Sequence, residues 1–97
     1  MENNKYVMKV ESIQVRLEQL AEESAELTQA ALKLARKYRG ESPTPKTKEE
    51  CIRKLHEETA DVMACLDCLL DVLDGAAVMD RKHEKIERWA ERLKRGE

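Results

Sequence analysis

The hydrophobic positions of this chain recur at helical spacing over most of its length. Eight residues spaced three or four apart form one stripe, which is hydrophobic except for a serine: Ile13, Leu17, Leu20, Ser24, Leu27, Ala31, Leu34 and Tyr38. Such spacing places side chains on one face of an α-helix. The pattern predicts a long first helix that begins near Asn4 or a little later, with Ser12 as a point where it can break.

A loop and a second helix are predicted to follow. Gly40 should end the first helix, and the prolines of the 42–45 segment disfavour helix in the residues before them. Thr47 with Glu50 three residues later is typical of a capping box at a helix start. The apolar stripe of the second helix consists of Leu55, Thr59, Val62, Leu66, Leu69 and Leu73.

Gly75 is predicted to end the second helix, and a third, more polar helix is expected over about residues 76–94. We therefore predict an all-α fold, an antiparallel helical hairpin plus a C-terminal helix, in a single domain over residues 1–97. The first helix carries a second apolar band that one hairpin cannot cover: Ala21, Ala25, Thr28, Leu32 and Ala35. We expect assembly into a homo-oligomeric helical bundle, with a two-fold dimer as its simplest form.

Composition limits the classes of function. The net charge is -2, from 18 basic and 20 acidic residues that are interspersed, so neither a nucleic-acid nor a membrane partner is indicated. No apolar run approaches the roughly 20 residues of a membrane span. Three cysteines favour reduced thiols and a cytoplasmic location. Cys65 and Cys68 have zinc-like spacing, but a second ligand pair is missing, which favours core residues.

Two acidic segments, EESAEL at 22–27 and EETADV at 57–62, place the same pattern of acidic residues on the two helices. At about 100° per residue, Glu23 and Glu26 lie on the same side of the first stripe. Glu58 and Asp61 have nearly the same offsets from the second stripe. An antiparallel hairpin brings both acidic flanks to one side at similar distances from the loop, so we expect the four carboxylates to meet.

Four neighbouring carboxylates repel one another, so a proton, a basic side chain or a cation must neutralise them. Carboxylate oxygens suit a hard cation, Mg²⁺ above all and Mn²⁺ as the alternative, and such ions keep positions open for water and phosphate oxygens. A polyphosphate is then the natural substrate. The alternative is a solvated acidic face on a non-catalytic helical oligomerisation or interaction module that binds a basic partner.

The sequence also resembles the MazG-like all-α nucleoside triphosphate pyrophosphohydrolases over about residues 13–93. Four features carry the resemblance: the 22–27 segment, Lys33 with Arg36, the Pro43-Thr44-Pro45 loop, and the 57–62 segment. The resemblance implies a helical bundle that assembles as a dimer or tetramer and binds magnesium. It also implies cleavage of a nucleoside triphosphate substrate between its α and β phosphates, giving a monophosphate and pyrophosphate.

Transferred residue by residue, the family's metal-binding acids match Glu23, Glu26, Glu58 and Asp61. Glu22 and Glu57, which precede them, are candidates for ligation or for holding the attacking water. The candidates for substrate contacts are Lys33, Arg36, Lys85, Arg88, Trp89 and Arg92. The last four lie on the third helix, where the tryptophan stands in place of an asparagine found in many family members, and where the cations alternatively form a solvated face.

Overall fold

The computed structural model describes residues 2–41 and 45–96, and within them the regular structure is entirely helical. The four helices are α1 (Asn3–Val10), α2 (Ile13–Tyr38), α3 (Lys48–Asp67) and α4 (Gly75–Lys94). This confirms the all-α prediction. Residues 42–44 of the predicted loop lie outside the described residues.

Both ends of α2 have local causes. Glu11 and Ser12 adopt extended backbone between α1 and α2, and the Ser12 hydroxyl accepts a hydrogen bond from the Val15 N–H at 3.1 Å. The chain therefore breaks at Ser12, as its sequence allowed. At the other end Gly40 has a φ of 73°, and the N–H of Glu41 donates to the Arg36 carbonyl at 3.1 Å. Gly40 adopts this left-handed backbone without a Cβ clash, and it ends the helix as predicted.

The capping box at the start of α3 is confirmed. The Glu50 N–H donates to the Thr47 hydroxyl at 3.1 Å, and the Thr47 N–H donates to Glu50 Oε1 at 2.7 Å. The second of these bonds lowers the pKa of Glu50. Thr47 therefore fixes where the second half of the hairpin begins.

The predicted end of the second helix at Gly75 is wrong. Helix α3 ends at Asp67, and the chain then turns, while Gly75 is the first residue of α4. Two causes are visible: the turn brings Leu69 into a fully buried position, and Asp74 caps α4 by accepting a hydrogen bond from the Ala77 N–H at 3.1 Å. Helix that continued through residue 74 would remove the cap at Asp74.

Helices α2 and α3 form an antiparallel hairpin, and Arg16 fixes its open end. This side chain is 5% exposed, and its guanidinium donates to both carboxylate oxygens of Asp71 at 2.7 and 2.9 Å. It also donates to the carbonyls of Cys68 at 2.8 Å and Glu11 at 3.1 Å. The bond from Arg16 lowers the pKa of Asp71. One side chain thus joins the start of α2 to the turn after α3, which sets the register of the two helices.

The hairpin is rotated relative to the predicted stripes. Its contact face includes the buried stripe member Leu34 together with buried residues from outside the stripes, namely Ala30, Cys51 and Glu58. Stripe members Leu17, Tyr38 and Leu66 are instead 44%, 65% and 39% exposed. Glu23 and Glu58 therefore lie in the α2–α3 seam rather than beside it, and part of each predicted stripe remains uncovered.

Helix α4 extends away from the hairpin. Within the described residues, α2 and α3 form the only extensive helix–helix contact. The large apolar residues of α4 are about half exposed or more: Val78, Met79, Ile86, Trp89 and Leu93. The radius of gyration is 17.0 Å, whereas a compact chain of about 100 residues has about 13 Å. The chain by itself thus leaves an amphipathic helix without a partner face.

Leu69 is expected to contribute much of the stability of the hairpin because it is the largest fully buried side chain. Leu69→Ala should lower the free energy of unfolding by about 2–5 kcal/mol, measured by urea denaturation. The neighbouring Leu70→Ala is the control because Leu70 is 56% exposed, and it should cost far less. Equal losses in the two variants would contradict a core role for Leu69.

Candidate metal site

Three carboxylates from the two hairpin helices converge in the α2–α3 seam. Glu23 of α2 and Glu58 and Asp61 of α3 each place one carboxylate oxygen within 4.8 Å of the others. Glu58 is buried, Glu23 is half-buried and Asp61 is exposed. The cluster therefore has a buried floor and a solvent-accessible side, as a site that exchanges a small ligand requires.

Glu58 forms the floor and is incompletely satisfied. The residue is 4% exposed, and its Oε2 lies 2.9 Å from the Lys54 ammonium. Its Oε1 is buried and has no hydrogen-bond partner among the described residues. A buried carboxylate oxygen without a partner is costly, because the protein does not replace the water that it loses. A cation among the three carboxylates would compensate this oxygen.

The surroundings of the cluster orient its members. Gln19 donates a hydrogen bond from Nε2 to Glu23 Oε2 at 2.8 Å, which holds that carboxylate from the preceding turn of α2. The ion pair with Glu58 raises the pKa of Lys54, and the charges of Glu57 and Glu26 add to this effect.

The donors of the cluster are all carboxylate oxygens, which fit a hard divalent cation with open positions for water or phosphate oxygens.

The other three predicted acids, Glu22, Glu26 and Glu57, are exposed and are not among the convergent carboxylates. Glu26 is exposed and is not one of the three convergent carboxylates, although its charge acts on Lys54. Glu57 is exposed, with Oε1 3.9 Å from the Lys54 ammonium, and Glu22 is exposed on α2. The structure thus brings together three of the four acids that the sequence pattern predicted to meet.

A lysine cavity adjoins the cluster on its loop side. It measures about 40 Å³, and Ala30, Lys33, Lys46, Cys51 and Lys54 line it. Lys33 was predicted from the sequence as a substrate residue, whereas Lys46 and Lys54 were not. The signal for Lys54 was available, since it precedes Glu58 by one helical turn. Arg36 is half-buried on α2 and does not line this cavity.

An apolar cavity of about 220 Å³ adjoins the cluster on its other side, toward the open end of the hairpin. Eight residues line it: Val7, Glu11, Val15, Arg16, Gln19, Ala64, Cys65 and Cys68. The three cysteines are free thiols, and burial raises the pKa of Cys65. No cysteine joins the metal-type cluster that the described part of the chain contains.

The four predicted substrate residues of α4 lie apart from this site within one chain. Lys85, Arg88, Trp89 and Arg92 are all exposed on a helix that does not pack extensively against the hairpin. Whether they contact a substrate therefore depends on where α4 packs in an assembly.

Comparison with protein-family models, with curated proteins and with solved structures finds no match to this chain. Among the described residues, none of the helices has the length and apolar character needed to cross a membrane. The function is therefore inferred from the geometry of the site and from the motifs that form it.

Proposed function

We propose that this protein is a magnesium-dependent nucleoside triphosphate pyrophosphohydrolase, which converts a (d)NTP and water into a (d)NMP and pyrophosphate. The observation that carries the proposal is the buried, unpartnered oxygen of Glu58 in a cluster of three convergent carboxylates. An acidic surface that is merely solvated needs no such buried carboxylate. The resemblance of the two acidic segments to the MazG-like family supports the same function.

The carboxylates of Glu23, Glu58 and Asp61 would hold the cation, with Glu26 at the edge of the site. Mg²⁺ fits this donor set, and Mn²⁺ has similar preferences. When bound, such an ion lowers the pKa of water and offsets negative charge on phosphate oxygens. The chain supplies the rest of the chemistry through the acids and lysines beside the cluster.

Two groups of residues have roles around the reacting phosphate. Glu57 and Glu22, which are exposed and directly precede Glu58 and Glu23 in the chain, are the candidates to orient the attacking water and accept its proton. The lysine cavity offers ammonium groups for the departing pyrophosphate, whose negative charge grows as the bond breaks. The proposed reaction then needs no serine, cysteine or histidine nucleophile.

The uncovered apolar faces support a homo-oligomer as the working form. Helix α4 and part of α2 expose apolar side chains that a second copy can cover. In a dimer or tetramer α4 would pack on another subunit, and its cations and Trp89 would then lie near that subunit's hairpin.

The first test is the product pattern. The purified protein is incubated with each common ribo- and deoxyribonucleoside triphosphate, with Mg²⁺, with Mn²⁺ and with a chelator. We expect monophosphate and pyrophosphate in equal amounts, with no product under chelation. Diphosphate and phosphate would contradict cleavage between the α and β phosphates. No turnover of any nucleotide, modified ones included, would favour the interaction module.

A further inference from the structure

The carboxylate cluster lies between two cavities along the same side of the hairpin, one with three lysines in its lining and the other with none. The apolar cavity includes Gln19 of α2, and the lysine cavity includes Ala30 and Lys33 of the same helix. At 1.5 Å per residue, Gln19 precedes Glu23 by about 6 Å, and Ala30 follows Glu23 by about 10 Å. Helix α3 presents its contributions in the reverse order, as an antiparallel partner must.

The apolar cavity suits a flat ring and not a phosphate chain. Its walls are mainly aliphatic and thiol groups, and the guanidinium of Arg16 in its lining is already paired with Asp71, so a phosphate there would lose its hydration without gaining a free cation. Its volume of about 220 Å³ is below the roughly 300–1,000 Å³ of pockets that enclose whole drug-sized ligands. It therefore fits one part of a nucleotide.

Gln19 connects this cavity to the carboxylate cluster. Its Nε2 donates to Glu23, which fixes the amide, and its Oε1 makes no hydrogen bond to the described residues. The amide can thus accept a hydrogen bond from an N–H at the edge of a base while its other end holds Glu23. Base recognition and the cluster then share one side chain.

The lysine cavity suits the opposite end of the substrate. Lys33, Lys46 and Lys54 line it, and three lysine side chains match the charge of a pyrophosphate tail, which would lie across the opening because a cavity of about 40 Å³ cannot enclose it. Lys54 also contacts Glu58, so the lysines and the cluster form one continuous polar strip.

We propose that the nucleotide lies along the α2–α3 seam in one direction, with its base in the thiol-lined apolar cavity and its β and γ phosphates at Lys33, Lys46 and Lys54. This direction rests on the proposed function and extends it. The α phosphate, which is nearest the sugar and base, then faces Glu23, Glu58 and Asp61. The bond cleaved is the one between the cluster and the lysines, so pyrophosphate leaves on the lysine side.

The test maps the two halves of the substrate separately on the full-length ¹⁵N-labelled protein, without metal and without turnover. Nucleosides of the common bases, at millimolar concentration, should shift the amide resonances of Gln19, Cys65 and Cys68. Inorganic tripolyphosphate should shift those of Lys46 and Lys54 instead. The proposed direction would be overturned if both probes shifted the same amide resonances, if each probe shifted the set expected for the other, or if neither probe shifted any resonance.

Matched variants sharpen the result. Ala64→Leu fills the apolar cavity and should weaken nucleoside binding at least about tenfold, whereas Ala60→Leu, one turn away and outside the lining, should leave it unchanged. Lys46→Gln should weaken tripolyphosphate binding, whereas Lys48→Gln, two residues further along, should have a smaller effect. Equal effects within either pair would contradict the assignment of that cavity.

The direction and the proposed function can fail independently. Hydrolysis to monophosphate with probe shifts in the wrong places would remove the direction and leave the activity intact. Shifts in the expected places without hydrolysis would preserve the two subsites and remove the pyrophosphohydrolase.

Discussion

Glu58→Gln is expected to lower kcat/KM for the preferred nucleoside triphosphate at least about 100-fold, because it removes the buried ligand of the cation site. The amide keeps the size of the side chain but loses the negative charge. The loss should fall mainly on kcat if the base and the phosphate tail are bound by other residues, and steady-state kinetics separates the two parameters.

The same substitution has a distinct signature in thermal unfolding. In the wild type Mg²⁺ should raise the Tm, because a ligand that binds only the folded state stabilises it. Glu58→Gln should abolish that rise. In the absence of metal its Tm should change little or increase, because the substitution removes a buried charge of which one oxygen has no partner.

Glu49→Gln is the matched control, since it is an exposed acid in the first turn of the same helix. It should retain activity and the Mg²⁺-dependent rise in Tm. A Glu58→Gln protein that still hydrolyses nucleotides at the wild-type rate would exclude the cluster as the active site. A variant that is destabilised without metal and inactive would indicate a structural role for Glu58.

The helices were predictable because their signals are local. The Thr47 and Glu50 capping box and the left-handed Gly40 each depend on bonds within one turn, so their sequence patterns suffice. The end of α3 was not predictable in the same way. The Leu69 stripe position suggested continued helix, but burial of that side chain in a turn and the cap at Asp74 determine the break.

The convergence of acids followed from helical periodicity, yet its position in the seam did not. The rotation of the hairpin goes with the burial of Arg16, a charged residue whose bonds to Asp71 and two backbone carbonyls leave no periodic signal in the sequence. That rotation places Glu23 and Glu58 inward while Glu26 stays exposed. Charged residues at contact positions were therefore the main reason that sequence patterns missed the details of the site.

Introducing charge on the apolar face of α4 is expected to dissociate the protein into monomers. Ile86 and Trp89 are 55% and 54% exposed in the single chain, and at about 100° per residue they lie on one side of the helix. We expect the wild type to show at least twice the 11.2 kDa chain mass in light scattering at micromolar concentration. Ile86→Glu with Trp89→Glu should give the mass of one chain, because burying two carboxylates in an apolar interface is strongly unfavourable.

The control carries the same change of two charge units on the other side of α4. Ala77→Glu with Lys94→Gln should keep the wild-type mass, because both residues are exposed and lie away from the apolar face. A wild-type protein with the mass of a single chain would contradict the assembly. If both double variants had the same mass, the interface would not be specific to the apolar face. This holds whether the shared mass is that of an oligomer or that of one chain.

Dissociation should also affect catalysis if α4 reaches the hairpin of another subunit. On a helical projection, Lys85, Arg88 and Arg92 form a ridge that adjoins the apolar face, so packing that face on a partner places the cations at the edge of the contact. The Ile86→Glu, Trp89→Glu protein should then lose turnover while its hairpin still binds tripolyphosphate at Lys46 and Lys54. Unchanged turnover in a confirmed monomer would show that one hairpin suffices for the reaction and would remove the α4 residues from the substrate site.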